Sequence, residues 1–175
     1  STSVVSEPGK GSRFSIMLPW EPALAVDTVE RLKTTGKFKA VKFNKDQKPT
    51  ILLIEDTEEV IMMLSDYLEL NGFKIITARD GLEGITQAQL THPDLILMDI
   101  QMPRMDGFET TKKLRSEPEF KTTPIIALTA LAMQNDRERC LAAGMDEYIT
   151  KPVHLRALVK MIELFLSGEA EVKKP

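Results

Sequence analysis

Asp99 closes a short apolar run, Leu95-Ile96-Leu97-Met98, and a loop opens behind it, Ile100-Gln101-Met102-Pro103-Arg104-Met105-Asp106-Gly107. A continuous apolar run of this length predicts a strand buried on both faces, as in a parallel sheet. A carboxylate at the C-terminal end of such a strand lies where open α/β sheets keep their ligands. Three more groups end apolar runs in the same way: the acidic pair Glu55-Asp56, Thr129, and Lys151. Taken singly, each has an ordinary use as a helix cap, a turn residue or a solvent-facing lysine. Taken together, they fall at the ends of strands one, three, four and five of one alternating pattern, so they converge on one edge.

Charge narrows the chemistry. Two carboxylates about 4 Å apart repel by about 4 kcal/mol at an effective dielectric of about 20. A fold gains nothing by that placement unless a cation sits between them. Hard carboxylate and carbonyl oxygens, with no His or Cys close by in sequence, favour Mg²⁺ over a softer metal. Such an ion can hold a phosphoryl group and neutralise its charge. Asp99 is then a carboxylate nucleophile that accepts a phosphoryl group. Lys151 supplies a compact positive charge to the phosphoryl oxygens. Thr129 supplies a hydroxyl, and the small side chain of Ala130 leaves the approach open.

The elements that must position these groups are legible from residue 50 onward. Strands are expected at Ile51–Ile54, Phe73–Thr77, Leu95–Asp99, Pro124–Thr129 and Glu147–Thr150. Helices alternate with them. The first, to about Leu70, carries Val60, Met63, Leu64, Tyr67 and Leu68 on one face, is capped by Asp56 or Thr57, and stops at Asn71-Gly72. The second, from Gly81 to Leu90, turns Leu82, Ile85 and Gln89 or Ala88 inward and stops before Pro93. The third carries Phe108, Thr111 and Leu114 and ends at Glu117-Pro118. The fourth, over 133–143, is weakly amphipathic, with Met133, Arg137, Cys140 and Leu141 on one side. The last, from Val153 to Leu166, buries Leu155, Leu158, Val159, Ile162, Phe165 and Leu166. Alternating strands and helices imply an α/β fold, a doubly wound (βα)5 parallel sheet of flavodoxin-like order 2-1-3-4-5. The more polar second and fifth strands belong at its edges.

The 175 residues carry a formal net charge of −3, with 28% charged residues, which disfavours a nucleic-acid surface. No apolar run approaches the roughly 18 residues that span a bilayer. The single cysteine, Cys140, rules out a disulfide framework and fits a cytoplasmic setting. Composition divides the chain into a segment 1–20, a linker 21–48 with a basic run from Lys37 to Lys48, an alternating domain 49–167, and a polar tail 168–175. Within the first segment Gly9-Lys10-Gly11-Ser12 signals a turn, and Phe14, Ile16 and Leu18 alternate as in a half-buried strand.

Residues 50–167 resemble the receiver domain of two-component response regulators. The resemblance is carried by Leu53-Ile54-Glu55-Asp56, by Leu97-Met98-Asp99-Ile100-Gln101-Met102-Pro103 with Met105-Asp106-Gly107, by Ile126-Ala127-Leu128-Thr129-Ala130, and by Asp146-Glu147-Tyr148-Ile149-Thr150-Lys151-Pro152. It implies phosphorylation of Asp99, Mg²⁺ held by Asp56, Asp99 and the main-chain carbonyl of Gln101, and Glu55 just outside the direct ligands. It also implies a cis peptide between Lys151 and Pro152. Thr129 and Tyr148 resemble the family's switch pair, which couples the phosphoryl group to the face built by helix four, strand five and helix five. The stretch from Glu7 to Pro19, with Gly9-Lys10-Gly11-Ser12, Phe14 and Leu18-Pro19, resembles the last strands of the ATP-binding domain of sensor histidine kinases.

The two resemblances together imply part of a hybrid sensor kinase, with the 1–20 segment a hairpin remnant of the kinase domain. This fragment is then not an enzyme beyond catalysing its own phosphorylation and dephosphorylation. The donor is a phosphohistidine on another domain or on a histidine phosphotransfer protein, because neither His92 nor His154 stands in a phosphoacceptor pattern. A homodimer is compatible with the sequence, and no membrane contact is expected of this fragment. Two other readings use the same residues. A Mg²⁺-dependent phosphohydrolase of the haloacid dehalogenase type would need Asp-x-Asp at the nucleophile, where this chain has Gln101. A flavin-binding domain would need a phosphate loop after strand one, where Glu55-Asp56-Thr57-Glu58-Glu59 would repel it. A third reading, an interaction module that is never phosphorylated, leaves the full set of acids, Thr and Lys without a use.

Overall fold

The computed structural model describes residues 2–7, 11–16, 48–130 and 134–167. Strands β1 (Thr2–Glu7) and β2 (Gly11–Ile16) pair antiparallel, from Thr2 opposite Ile16 to Glu7 opposite Gly11. Gly11 and Ser12, expected in the turn, already belong to the second strand. Leu18, Pro8-Gly9-Lys10, most of the 21–48 linker and the 168–175 tail lie outside the described residues.

The main sheet follows the apolar runs. It contains β3 (Thr50–Ile54), β4 (Lys74–Ala78), β5 (Leu95–Asp99), β6 (Ile125–Thr129) and β7 (Glu147–Thr150). All neighbours pair in parallel, in the order β4-β3-β5-β6-β7. Counted within this sheet the order is 2-1-3-4-5, as expected. The three most apolar strands are central because only there are both faces covered, while β4 and β7 keep partly exposed positions at the edges.

Side chains alternate between two cores. Ile51, Leu53, Leu95, Leu97, Ile126 and Leu128 face one side, which is covered by α1 (Glu58–Leu70) and α5 (Leu155–Ser167). Leu52, Ile54, Ile96, Met98, Ile125 and Ala127 face the other. That side is covered by α2 (Gly81–Thr91), α3 (Gly107–Ser116) and α4 (Gln134–Ala143). Each fully buried Leu or Ile contributes about 1.5–3 kcal/mol.

Two helices bury most of the stripe expected of them, with one apolar position exchanged in each. In α1 the buried residues are Ile61, Leu64 and Leu68, whereas Met63 is 44% exposed. In α2 Leu82 is 51% exposed and the close contacts are made by Gly84 and Ala88. With about 100° of rotation per residue, either version of the stripe is apolar enough to pack, and the angle at which the helix meets the sheet chooses between them. Helix α1 begins at Thr57, whose hydroxyl bonds the Asp56 carboxylate (3.2 Å) and makes no bond to the helix's own amides. It ends at Asn71, followed by Gly72 with φ of 90°, a left-handed conformation that Gly adopts without strain. The side chains of Met133 and Arg137 lie outside the described residues.

Candidate functional site

Because the strands are parallel, the four groups singled out in the sequence emerge at one edge of the sheet. Glu55 continues β3, and its amide donates to the Ala78 carbonyl at the end of β4 (3.0 Å). Its carboxylate is fully buried. Asp56 follows and is exposed. Asp99 ends β5 and is buried, with only 4% of its surface accessible. Carboxylate oxygens of Glu55, Asp56 and Asp99 lie within 4.8 Å of one another.

Lys151 reaches this cluster from beyond β7. Its Nζ donates to Glu55 Oε2 at 2.7 Å and stands 3.0 Å from Asp99 Oδ2. The other Asp99 oxygen, Oδ1, accepts the Gln101 amide at 3.2 Å. Both oxygens of the expected nucleophile are therefore oriented. The strand end that delivers Lys151 is fixed by its own amide, which donates to the Thr129 carbonyl (2.7 Å). The Lys151–Pro152 peptide is cis, as the resemblance implied.

Thr129 is fully buried at the end of β6, one position beyond the residue that pairs with Asp99. Tyr148 is half-buried on β7, opposite Ala127, and packs on the second core. It lies two register positions back from the Thr129 level, so the strand register brings Glu55, Asp56, Asp99, Thr129 and Lys151 to one edge and keeps Tyr148 behind it. Gln101 is exposed at the start of the loop after β5.

Among the described residues, the site is an acidic cluster with Lys151 as its paired cation. Burial pushes the Glu55 carboxyl above its ordinary value; the hydrogen bond from Lys151 opposes that shift and the nearby Asp99 charge adds to it. For Lys151, burial disfavours the ammonium, but the bonds to Glu55 and Asp99 outweigh it and hold the group above its usual value. Three carboxylates against one ammonium leave the pocket short of positive charge. Their hard oxygens, with no His or Cys grouped with them among the described residues, suit a Mg²⁺ ion.

The loop after β5 is built for close approach. The Gly107 amide donates to the Ile100 carbonyl (3.0 Å) and closes the loop at its base. A Cβ on Gly107 would collide with the Asp99 carbonyl oxygen and come within 2.9 Å of Ile100 Cα, so only Gly fits. Two residues escaped the sequence reading. Asp80 caps α2 and binds Arg104 from this loop. The signal available for it was an Asp directly before a helical pattern; nothing in the sequence pointed to its partner.

Comparison with known proteins follows the same lines. The family model of the response regulator receiver domain matches residues 51–163. The chain belongs to this family. The polar-differentiation response regulator DivK of Brucella ovis is 40% identical over 121 residues, which is 69% of this chain and 98% of that protein. The chemotaxis protein CheY4 of Vibrio cholerae superposes with a TM-score of 0.66 at 31% identity, over 69% of this chain and all of that one. The receiver domain of a sensor histidine kinase from Pseudomonas aeruginosa, solved with a magnesium ion in its active-site cleft, has a TM-score of 0.65 at 34% identity and covers 69% and 98% of the two chains. Receiver domains act in two-component phosphorelay signalling: they accept phosphoryl groups from histidine kinases or phosphotransfer proteins and bind Mg²⁺ at an acidic site. No helix among the described residues of this receiver is long and apolar enough to cross a membrane.

Proposed function

We propose that Asp99 is the phosphoacceptor of this receiver and that the chain belongs to a hybrid sensor histidine kinase. The observation that carries the first part is the Lys151 ammonium, held at 2.7 Å and 3.0 Å between Glu55 and Asp99 beside the exposed carboxylate of Asp56. In the reaction an Asp99 oxygen attacks the phosphorus of a phosphohistidine. The P–O bond forms as the P–N bond breaks, and the imidazole leaves with that electron pair. Lys151 pairs with the phosphoryl oxygens that gather charge, and the Thr129 hydroxyl donates to one of them. Asp56, Asp99 and the Gln101 carbonyl would hold Mg²⁺, with Glu55 just outside. When bound, the ion neutralises charge on the phosphoryl oxygens. Phosphorylation then draws on Thr129 and Tyr148 to shift the face of α4, β7 and α5 between two populated arrangements.

The hybrid-kinase setting is supported by the kinase-like pattern of the Glu7–Pro19 stretch, of which Glu7 and Gly11–Ile16 lie in paired antiparallel strands, and by neighbours that are themselves receivers of sensor histidine kinases. Segment 1–20 is then the closing hairpin of the kinase ATP-binding domain, 21–48 the linker, and the parent chain a histidine kinase. Treatment with acetyl phosphate and Mg²⁺, followed by intact-mass analysis, tests the acceptor. The wild-type chain should gain one phosphoryl group and Asp99→Asn none. Full labelling of Asp99→Asn would overturn the assignment.

A further inference from the structure

The loop Ile100–Asp106 is tied at its tip as well as its base. Arg104 sits there with φ of 69°, a left-handed conformation that a non-Gly residue keeps only when its surroundings hold it. Arg104 is the central residue of a tight turn in which the Met105 amide donates to the Pro103 carbonyl (2.8 Å). The Arg104 guanidinium donates to Asp80 Oδ2, while Asp80 Oδ1 accepts the Leu82 and Glu83 amides at 2.8 and 2.9 Å. The cap uses one oxygen, so Asn or Ser would serve it equally well. The second oxygen, on a side chain only 5% exposed, is used by Arg104 alone among the described residues. Beside this pair, Met105 packs on Gly81, where a Cβ would collide with the Thr110 hydroxyl and touch Met105 Cγ at 3.0 Å.

The tie leads back to the acidic cluster from both ends. On one side it holds the loop that carries Gln101, whose amide binds Asp99. On the other it holds the turn after β4, where the Ala78 carbonyl receives the Glu55 amide. A side-chain ligand can find an ion by changing rotamer; a main-chain carbonyl can do so only if the backbone already has the right shape. We propose that the Asp80–Arg104 ion pair is a clamp that sets the loop in its ligating shape before any ion or phosphoryl group arrives. Both are positioning residues for the Asp99 site. The clamp's bearing on the metal rests on the reading of that site given above; its bearing on loop order does not.

The test uses the 175-residue chain and three readouts: amide exchange of Gln101, Met102, Arg104 and Met105 without metal, Mg²⁺ affinity by calorimetry, and melting temperature. Asp80→Asn keeps the cap and loses the charge; Arg104→Gln loses the same pair from the other side. Each should speed exchange of the loop amides about tenfold and weaken Mg²⁺ about tenfold, while melting stays within about 3 °C of wild type. The double variant should be no worse than either single, and Arg104→Lys should recover most of both effects. Arg104→Gly, which relieves the left-handed backbone as it removes the pair, should exchange as fast as Arg104→Gln. Wild-type exchange in both single variants, or exchange that merely follows a lower melting point, overturns the clamp. If wild type and Asp56→Asn bind Mg²⁺ equally weakly, the metal reading fails, and the exchange data still decide the clamp.

Discussion

The two ends of the same sheet carry buried ion pairs of opposite character. At the N-terminal end, Arg115 from α3 donates to the carbonyls of Phe120, Thr123 and Gly144 and to Asp146 Oδ2 at 2.7 Å. Asp146 Oδ2 also accepts the Ile125 amide where β6 begins (2.8 Å). Here a cation meets an anion directly, and main-chain groups bond to both. Burial pulls the Arg115 pKa down, and Asp146 holds it up, so the group stays charged. At the C-terminal end, Lys151 pairs with Glu55 and Asp99 while a third carboxylate, Asp56, lies beside them, and burial lifts the Glu55 pKa. The first arrangement is balanced and joins α3, β6 and the turn before β7. The second is short of positive charge, which suits it to the cation and the phosphoryl group of the proposed function. Similar residue types thus serve stability at one end and chemistry at the other, and charge balance separates the two.

Four experiments break or sharpen this contrast. Arg115→Met should cost the most, about 3 kcal/mol, because it strands a half-buried carboxylate and three carbonyls without their donor. Urea unfolding measures it, and a loss under about 1 kcal/mol would remove the balanced end of the comparison. Lys151→Met should cost less, about 1–2 kcal/mol, since Glu55 answers the loss by taking up a proton. The same variant should be labelled by acetyl phosphate far more slowly than wild type.

Asp56→Asn should do the reverse and stabilise the metal-free fold by about 0.5–1 kcal/mol while removing most Mg²⁺ affinity. An unchanged or lower stability would show that the carboxylates are not in conflict. The smallest effect concerns pH. The Glu83 amide, with help from Leu82 and Arg104, holds the Asp80 carboxyl below its ordinary value, although burial opposes it. A group depressed in the fold stabilises above its unfolded pKa, about 4, and that contribution fades as pH falls through the folded value. Asp80→Asn should therefore be slightly less stable than wild type near neutrality and show a flatter acid limb below about pH 4, where the two curves converge. Thermal melts from pH 2 to 7 would reveal a slope that persists in the variant, which would place the acid sensitivity elsewhere.

Much of this was legible in residue order. Short apolar runs end in Glu55, Asp99 and Thr129, and their ends become one edge because parallel strands share a direction. The polar character of β4 and β7 placed them outside. What failed was one edge of each stripe: Met63 and Leu82 fit a helical period but face outward, while Ile61 and Gly84 face in. Periodicity states that a helix has an apolar face; packing states where that face ends.

By itself, then, the sequence determined the elements, their order in the sheet and the edge where the acids meet, because these follow from hydrophobic runs, chain stops and strand direction. Only the tertiary structure decided the partners of each charge. Lys151 meets Glu55 across 96 residues, Arg104 meets Asp80 across 24, and Arg115 meets Asp146 across 31. A charge's partner is the group that the crossovers bring within about 3 Å, and no local pattern encodes that distance.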